Sequence, residues 1–188
     1  MSLHVVVGPM FAGKTSEIQS VVRRYTCLGR TVLVLAADID NRYVRQGEGG
    51  AIVNHDRAAI PARAVSVQGG LLAVLDWPEF AAATAVVIDE AQFFVGCLVD
   101  FVLRAVEVYG KHMVVVGLDG DAARRPFGDV LTLVPYADTV EKKTALCRRC
   151  GDGTPALFTR ALGAQAAQVA VGGAERYEPV CRRHFAES

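Results

Sequence analysis

The amino-acid sequence predicts an α/β fold, a parallel sheet with helices on both faces, followed by a small C-terminal lobe. Three observations predict it. Short apolar, β-branched runs alternate with segments of helical periodicity. A glycine-rich loop joins the first run to the first helix, and two pairs of potential metal ligands lie near the C-terminus. We therefore place an α/β domain at residues 1–143 and a second lobe at 144–188.

Four strands and two helices follow from the pattern in chain order. The predicted strands are the apolar runs Leu3–Val7, Thr31–Ala36, Val86–Ile88 and Met113–Gly117. The first helix runs from Lys14 to Leu28, where Gly29 can cap it. The second covers Val95–Tyr109, because Leu98, Val102, Ala105 and Val106 share one helical face.

The segment from residue 38 to residue 63 has no clear periodicity and contains Gly47, Gly49 and Gly50. We predict a mobile loop over the edge of the sheet there, because long connections in compact domains are usually functional or flexible.

Composition narrows the class of protein. Of the 188 residues, 52% are apolar and 21% charged, which is typical of a folded chain with its own core. Twenty basic and twenty acidic residues balance, so the electrostatic footprint of a nucleic-acid binder is missing. The apolar runs are too short to cross a bilayer, and the N-terminal residues do not resemble a secretion signal. We expect a soluble, cytoplasmic protein without nucleic-acid or membrane partners.

A phosphate-binding loop is predicted between the first strand and the first helix. Gly8-Pro9-Met10-Phe11-Ala12-Gly13-Lys14-Thr15 fits the pattern GxxxxGK[ST]. In such loops backbone N–H groups converge on phosphate oxygens, the lysine reaches the β- and γ-phosphates, and the hydroxyl binds Mg²⁺. The alternative is a chance glycine-rich turn before a helix. The loop predicts a P-loop NTPase sheet of the RecA-like kind and MgATP as ligand.

Two carboxylates follow the third predicted strand. Asp89 and Glu90 end the run Val86–Ile88, at the sheet edge where open α/β sheets bind ligands. Asp89 is the candidate for Mg²⁺ and Glu90 for a base on the attacking nucleophile, while Gln92 can order the site. The alternative is a solvated acidic cap on the next helix.

The same Asp-Glu-Ala-Gln string also fits an ATPase or a helicase-like motor, in which the glutamate activates water. A helicase needs two motor lobes and a basic surface, and this chain has neither the length nor the charge. A noncatalytic nucleotide-binding homologue is a third possibility.

A zinc site is predicted near the C-terminus. Cys147 and Cys150 form a CxxC pair, and Cys181 and His184 form a CxxH pair thirty residues later. Four ligands close a tetrahedral shell and leave no position for water, so we expect structural zinc. The remaining cysteines, Cys27 and Cys97, are expected to be buried small hydrophobes.

Further residues are candidates for the acceptor site. Phe93 can wall a planar substrate, and Leu118 closes the fourth strand. Phe127 can stack on a base, while Arg124 or Arg125 can meet a phosphate. Each has an ordinary alternative as a core residue, a solvated arginine or a plain turn.

The whole set of motifs resembles the type II thymidine kinases, the zinc-containing cellular and poxvirus-like family, from about Leu3 to His184. The strings that carry the resemblance are GPMFAGKT (8–15), DNRY (40–43), HDR (55–57), IDEAQFF (88–94), LDG and RPFG (118–128), LVP (133–135) and GGAERY (172–177).

The resemblance implies a kinase that transfers the γ-phosphate of MgATP to the 5′-hydroxyl of thymidine, and of deoxyuridine. It implies that Glu90 accepts the hydroxyl proton, that Lys14 is catalytic, and that Asp40, Asn41, Arg42, Asp89 and Gln92 belong to the ATP and Mg²⁺ site. It further implies a thymine pocket lined by Met10, Phe93, Leu118 and Phe127. A lasso loop fastened by zinc is implied as well, with Val169, Ala170, Val171, Gly172 and Tyr177 on it. A cytosolic homotetramer inhibited by thymidine triphosphate (dTTP) is also implied.

The chain departs from the family pattern in four ways. Ala122 replaces a ring that packs on thymine, which predicts a roomier pocket. A basic pair is reduced to Arg160-Ala161, and two extra residues lie between Cys150 and Thr159. His184 stands where some members have cysteine, a change that zinc tolerates.

Overall fold

The computed structural model describes residues 1–39, 50–53, 59–163 and 172–187. Several predicted residues lie outside these ranges. They are Asp40, Asn41 and Arg42, the string 55–57, and Val169, Ala170 and Val171 of the predicted lasso loop.

Helices and strands alternate along the N-terminal three quarters of the chain. The strands there are β1 (Ser2–Val7), β2 (Val32–Ala37), β3 (Gly50–Val53), β4 (Ala59–Val65), β5 (Ala85–Asp89), β6 (His112–Gly117) and β7 (Thr139–Lys142). The helices are α1 (Lys14–Cys27), α2 (Gly70–Ala73), α3 (Pro78–Ala82) and α4 (Leu98–Leu103). Three 3₁₀ segments cover Val74–Asp76, Ala91–Phe93 and Val130–Tyr136, and a π turn covers Arg104–Val108.

The seven strands form one sheet in the order β3-β4-β2-β5-β6-β1-β7. All neighbours pair in parallel except β3 and β4, which are antiparallel. The four predicted strands are β1, β2, β5 and β6, each within two residues of its predicted bounds. The predicted parallel sheet is confirmed.

Two parts of the prediction are corrected. The segment 38–63, predicted to contain a loop, includes β3 and the start of β4, which continues to Val65, and both join the sheet; residues 40–49 and 54–58 lie outside the described ranges. In β4 the exposed Pro61 and Arg63 alternate with the buried Ile60 and Ala62, but proline within a run argues against a strand. The helix predicted from Val95 begins only at Leu98, after the left-handed turn at Gly96, and its last turn is a π turn.

The core lies on both faces of the sheet. One face of the strands, with Leu3, Ile88 and Met113, packs against Phe80 of α3 and Phe101 of α4. The other face, with Val6, Val87 and Val114, packs against Ile18 and Val21 of α1. Helices therefore cover both faces, as predicted, and the ends of the central strands are held in fixed positions.

The C-terminal residues form a smaller unit beside the sheet. It contains β8 (Ala145–Leu146) paired with β9 (Pro155–Ala156), β10 (Phe158–Ala161) paired with β11 (Tyr177–Val180), and α5 (Arg182–Ala186). Its own small core includes Cys147, Ala156 and Val180, and Ala12 of the glycine-rich loop packs against it. This unit, called the C-terminal lobe below, therefore contacts the loop that follows β1. Among the described residues, no helix is both long enough and apolar enough to cross a membrane.

Candidate functional site

Three neighbouring strands of the sheet bring the predicted site together. In the sheet order, β6 lies between β5 and β1. The carboxyl ends of these parallel strands meet at one edge, which is where open α/β sheets bind ligands. The loop Gly8–Thr15 leaves β1, Asp89 and Glu90 end β5, and Leu118 and Asp119 follow β6.

The glycine-rich loop has a backbone that wraps around the lysine side chain. Gly8 and Gly13 have φ angles of 148° and 73°, and Phe11 is also left-handed at 66°. The Lys14 ammonium donates to the carbonyl oxygens of Gly8 at 3.1 Å and Pro9 at 2.8 Å. Burial lowers the pKa of Lys14, and the nearby Glu90, Asp89 and Asp119 oppose that shift. The lysine is therefore held in an acidic site at the mouth of the loop.

Asp89 is a buried carboxylate, with 4% of its surface exposed. Its Oδ1 accepts a hydrogen bond from the Glu90 N–H at 2.9 Å. Burial and then the charge of Glu90 raise the pKa of Asp89 to about 7, against the lowering effects of that hydrogen bond and of Lys14. A buried acid with such a raised pKa lacks a full counter-charge, which a hard divalent cation supplies.

Glu90 is directed into the site by its backbone and by one neighbour. Its φ of 52° is left-handed, which turns the chain sharply out of β5. Gln92 Nε2 donates to Glu90 Oε2 at 2.5 Å, and Gln92 Oε1 accepts from the Leu118 N–H at 3.0 Å. The amide of Gln92 therefore joins the end of β5 to the end of β6.

The predicted acceptor residues lie in two places, one after β5 and β6 and the other where the loop after β1 meets the C-terminal lobe. Phe93, three residues after Glu90, meets Phe127 edge to face, with ring centroids 5.4 Å apart. Met10 donates its N–H to Thr159 Oγ1 at 2.9 Å, so the loop after β1 meets β10. Tyr177 is buried in β11, and Gly172 is half-buried at the end of a described range.

The arginines suggested as phosphate contacts have other partners. The Arg124 guanidinium lies 5.3 Å from the ring centroid of Phe158 and 4.3 Å from that of Phe185, in the C-terminal lobe. Arg125 Nε donates to Asp121 Oδ2 at 3.0 Å. Arg160 donates to the carbonyl oxygen of His184 at 3.0 Å. These arginines link the loop after β6 to the C-terminal lobe and hold both in shape.

Two residues near the site were not predicted. Asp119 lies within electrostatic range of Lys14 and forms an ion pair with Lys142, with Nζ and Oδ2 2.6 Å apart. The hydroxyl of Thr159, a residue of β10, accepts a hydrogen bond from the Met10 N–H. Asp119 is part of the string LDG, but its closeness to Lys14 could not be predicted from the sequence, because it depends on β6 lying beside β1.

The four predicted zinc ligands converge. The ligand atoms of Cys147, Cys150, Cys181 and His184 all lie within 4.8 Å of one another. His184 Nδ1 is 3.5, 3.4 and 3.5 Å from the three sulfurs in turn, and the sulfurs of Cys150 and Cys181 are 3.8 Å apart. Ligands at the usual bond lengths on one tetrahedral ion are separated by about 3.5–3.8 Å. The cluster therefore fits a zinc ion.

The thiols of the cluster differ in acidity. Burial alone would raise the pKa of Cys147, but hydrogen bonds from the backbone N–H groups of Cys181 and Cys150, with His184, lower it to about 6. Burial and the neighbouring thiols raise the pKa of Cys150 to about 11.

Outside the cluster, Cys97 is buried as predicted, while Cys27 is exposed, and the prediction for it was wrong.

Comparison with known proteins gives one consistent family. A family model described as thymidine kinase matches residues 1–185. A thymidine kinase of Oryza sativa subsp. japonica is 40% identical over 184 residues, which cover 97% of this chain and 65% of that protein. A cytosolic thymidine kinase of Homo sapiens is 36% identical over 96% of this chain and 71% of that protein. A thymidine kinase of Variola virus is 33% identical over 99% of this chain and 97% of that protein.

Proposed function

This chain belongs to the thymidine kinase family, and we propose that it transfers the γ-phosphate of ATP to the 5′-hydroxyl of thymidine, and of deoxyuridine. The observation that carries the proposal is the position of Glu90. Its carboxylate stands beside the lysine and the aspartate of a phosphate-binding site, in electrostatic contact with both. A base at that place activates a nucleophile, either water or an acceptor hydroxyl, and membership of the thymidine kinase family favours the hydroxyl.

The donor half of the reaction belongs to the loop Gly8–Thr15. Its backbone N–H groups and the N-terminus of α1 suit the phosphates of ATP, because both present positive potential to an anion. Lys14 exchanges its two carbonyl partners for the β- and γ-phosphates when ATP binds. Asp40, Asn41 and Arg42 complete this half in the proposal.

Thr15 and Asp89 would hold Mg²⁺, which when bound neutralises charge on the β- and γ-phosphate oxygens. Burial and then the charge of the neighbouring Glu90 raise the pKa of Asp89. This supports the assignment, because a bound cation stabilises the ionised form of a buried carboxylate. Cys147, Cys150, Cys181 and His184 would hold zinc, which has a structural role because four protein ligands close its shell.

The acceptor half places the 5′-hydroxyl between Glu90 and the γ-phosphate. As the hydroxyl oxygen bonds to phosphorus, the bond from phosphorus to the β,γ-bridging oxygen breaks and ADP leaves. The hydroxyl proton passes to the Glu90 carboxylate, and thymidine monophosphate forms. Met10, Phe93, Leu118 and Phe127 line the base pocket in this proposal, and the lasso residues are Val169, Ala170, Val171, Gly172 and Tyr177.

Replacement of the base tests the proposal. We expect Glu90→Gln to lower kcat on the order of 10²–10⁴-fold, because the amide cannot accept the proton. ATP affinity should stay close to normal. Formation of labelled monophosphate is measured with radiolabelled ATP across a panel of thymidine, deoxyuridine, deoxycytidine and purine nucleosides, with the exposed Glu107→Gln as matched control.

Near-normal rates in Glu90→Gln would contradict the assignment of the base. ATP hydrolysis that DNA stimulates and nucleosides do not would favour a motor protein. ATP binding without any monophosphate product would favour a noncatalytic homologue.

The assembly and its control are part of the proposal. We infer a cytosolic homotetramer that thymidine triphosphate inhibits, on the strength of the family resemblance alone. Light scattering of the purified chain and inhibition curves with thymidine triphosphate test the two statements separately.

A further inference from the structure

The side chain of Gln92 is fully buried, and both ends of its amide are bonded inside the protein. Nε2 donates to Glu90 Oε2 at 2.5 Å, and Oε1 accepts from the Leu118 N–H at 3.0 Å. A buried amide whose hydrogen bonds are made costs little to bury, whereas the loss of a partner costs the full desolvation of the group. The orientation of this amide is therefore fixed by the fold.

Two glycines keep the surroundings of Gln92 tight. A Cβ on Gly117 would lie 2.8 Å from Gln92 Oε1, and a Cβ on Gly128 would lie 2.1 Å from the Gln92 carbonyl oxygen. Both distances are shorter than contacts that side chains tolerate. The end of β6 and the loop that follows it thus enclose Gln92 from two directions.

Glu90, by contrast, is only half-buried, and its own backbone is left-handed at the point where the chain leaves β5. A glutamate side chain has three rotatable bonds, so an unheld carboxylate samples many positions. The bond from Gln92 engages one carboxylate oxygen, Oε2, and does not engage Oε1.

We propose that Gln92 is a positioning residue, which acts on the reaction by aiming the Glu90 carboxylate and makes no contact with ATP. This inference rests on the proposed function, because it assumes that Glu90 is the base. It replaces the assignment of Gln92 to the nucleotide site that the family resemblance implies. The Leu118 N–H at the end of β6 holds the amide in place, and the amide in turn holds the Glu90 carboxylate, the group that accepts the proton.

Two variants separate the hydrogen bond from the shape of the side chain. Gln92→Met keeps the length and removes both the donor to Glu90 and the acceptor of the Leu118 N–H. Gln92→Glu keeps the shape and the acceptor and places a carboxyl oxygen beside Glu90 Oε2, where its charged form cannot donate. We expect each to lower kcat about 10- to 100-fold, since a displacement of about 1 Å at a reacting group has an effect of that order. The KM for ATP and the Kd for ATP should change less than about twofold. Gln68→Met, at an exposed glutamine far along the chain, is the matched control and should leave kcat unchanged.

A double-mutant comparison gives the decisive readout. If Gln92 acts only through Glu90, Gln92→Met should change the residual rate of Glu90→Gln by less than about twofold, measured under single-turnover conditions. A Gln92 effect that remains 10-fold in the Glu90→Gln background would overturn the inference. So would a loss confined to the affinity for ATP, or an unchanged kcat in both single variants.

The thermal unfolding midpoint of each variant is recorded alongside. Each variant alters buried hydrogen bonds, so its midpoint is expected to fall, and rates are compared at a temperature well below the lowest midpoint. A variant that is folded at that temperature, binds ATP normally and is slow supports positioning. Failure of the proposed function looks different, since the unmodified protein would then form no thymidine monophosphate, or Glu90→Gln alone would form it at a near-normal rate.

Discussion

Gly128 is the residue at which backbone conformation and packing constrain the site most strongly. Its φ of 60° is left-handed, and the space for a Cβ is taken by the carbonyl oxygen of Gln92. We expect Gly128→Ala to lower the free energy of unfolding by about 2–4 kcal/mol, through strain at positive φ and displacement of the Gln92 backbone. Urea unfolding of Gly128→Ala and of the unmodified protein measures this difference in the free energy of unfolding.

The control for this change is Gly110→Ala. Gly110 has a similar φ of 65° but open space where a Cβ would lie. Its loss should be only about 1 kcal/mol, the cost of the left-handed backbone alone. Equal losses at the two glycines would contradict the contact with Gln92.

Single residues show what the sequence can and cannot predict about the site. The type and spacing of Lys14, Asp89 and Glu90 predict a phosphate site, because each lies in a motif of adjacent residues. The partners of Gln92 and Met10 were not predicted. Leu118 is 26 residues from Gln92, and Thr159 is 149 residues from Met10, so both contacts depend on how the chain folds back.

At the scale of elements, the strands that were missed are those whose side chains do not alternate or are not apolar. β7 has the sequence Thr-Val-Glu-Lys and lies at the edge of the sheet, largely exposed. An edge strand buries little, so hydrophobic periodicity gives no sign of it. The central strands β1, β5 and β6 are buried on both faces and were predicted within two residues.

The C-terminal lobe should depend on a metal for its stability. Its strands are two to four residues long, and its core consists of a few small side chains and the cysteines themselves. We expect about one zinc per chain by elemental analysis, and loss of that zinc in Cys150→Ser. The unfolding midpoint should fall by roughly 10 °C, because loss of a few kcal/mol shifts a domain of this size by about 2–4 °C for each kcal/mol.

Cys27→Ser is the matched control, since Cys27 is exposed and lies on α1, far along the chain from the cluster. It should retain both the zinc and the midpoint. Because Thr159 and the core of the lobe contact Met10 and Ala12, the zinc-free protein should also bind ATP more weakly. Full retention of zinc in Cys150→Ser would contradict the assignment of the ligands.

At the scale of the whole molecule, the order of the strands decides which residues share the site. Strand β6 is inserted between β5 and β1, and it brings Asp119 and the Leu118 N–H to the same edge as Asp89 and Lys14. The alternation of strands and helices predicts a parallel sheet but not this order, because many orders bury the same apolar faces.

Asp89 makes the stability of the whole chain depend on pH. Burial and the charge of Glu90 raise its pKa from 3.8 to about 7 in the folded protein. A folded-state pKa above the unfolded value means that the folded chain binds the proton more tightly. This contribution to stability is therefore fully present below about pH 4, declines as the pH rises to about 7, and is absent above that.

We therefore expect Asp89→Asn to be more stable than the unmodified protein at pH 8 when Mg²⁺ and nucleotide are both removed. The gain in the free energy of unfolding should be a few kcal/mol, since each unit of pKa shift corresponds to about 1.4 kcal/mol. It should vanish below about pH 4, and kinase activity should be lost at every pH. Urea unfolding between pH 4 and pH 8 measures the effect, with the exposed Asp76→Asn as control. A gain that does not depend on pH, or a lower stability at pH 8, would show that the charge of Asp89 is compensated within the fold, so that binding of the donor would not relieve it.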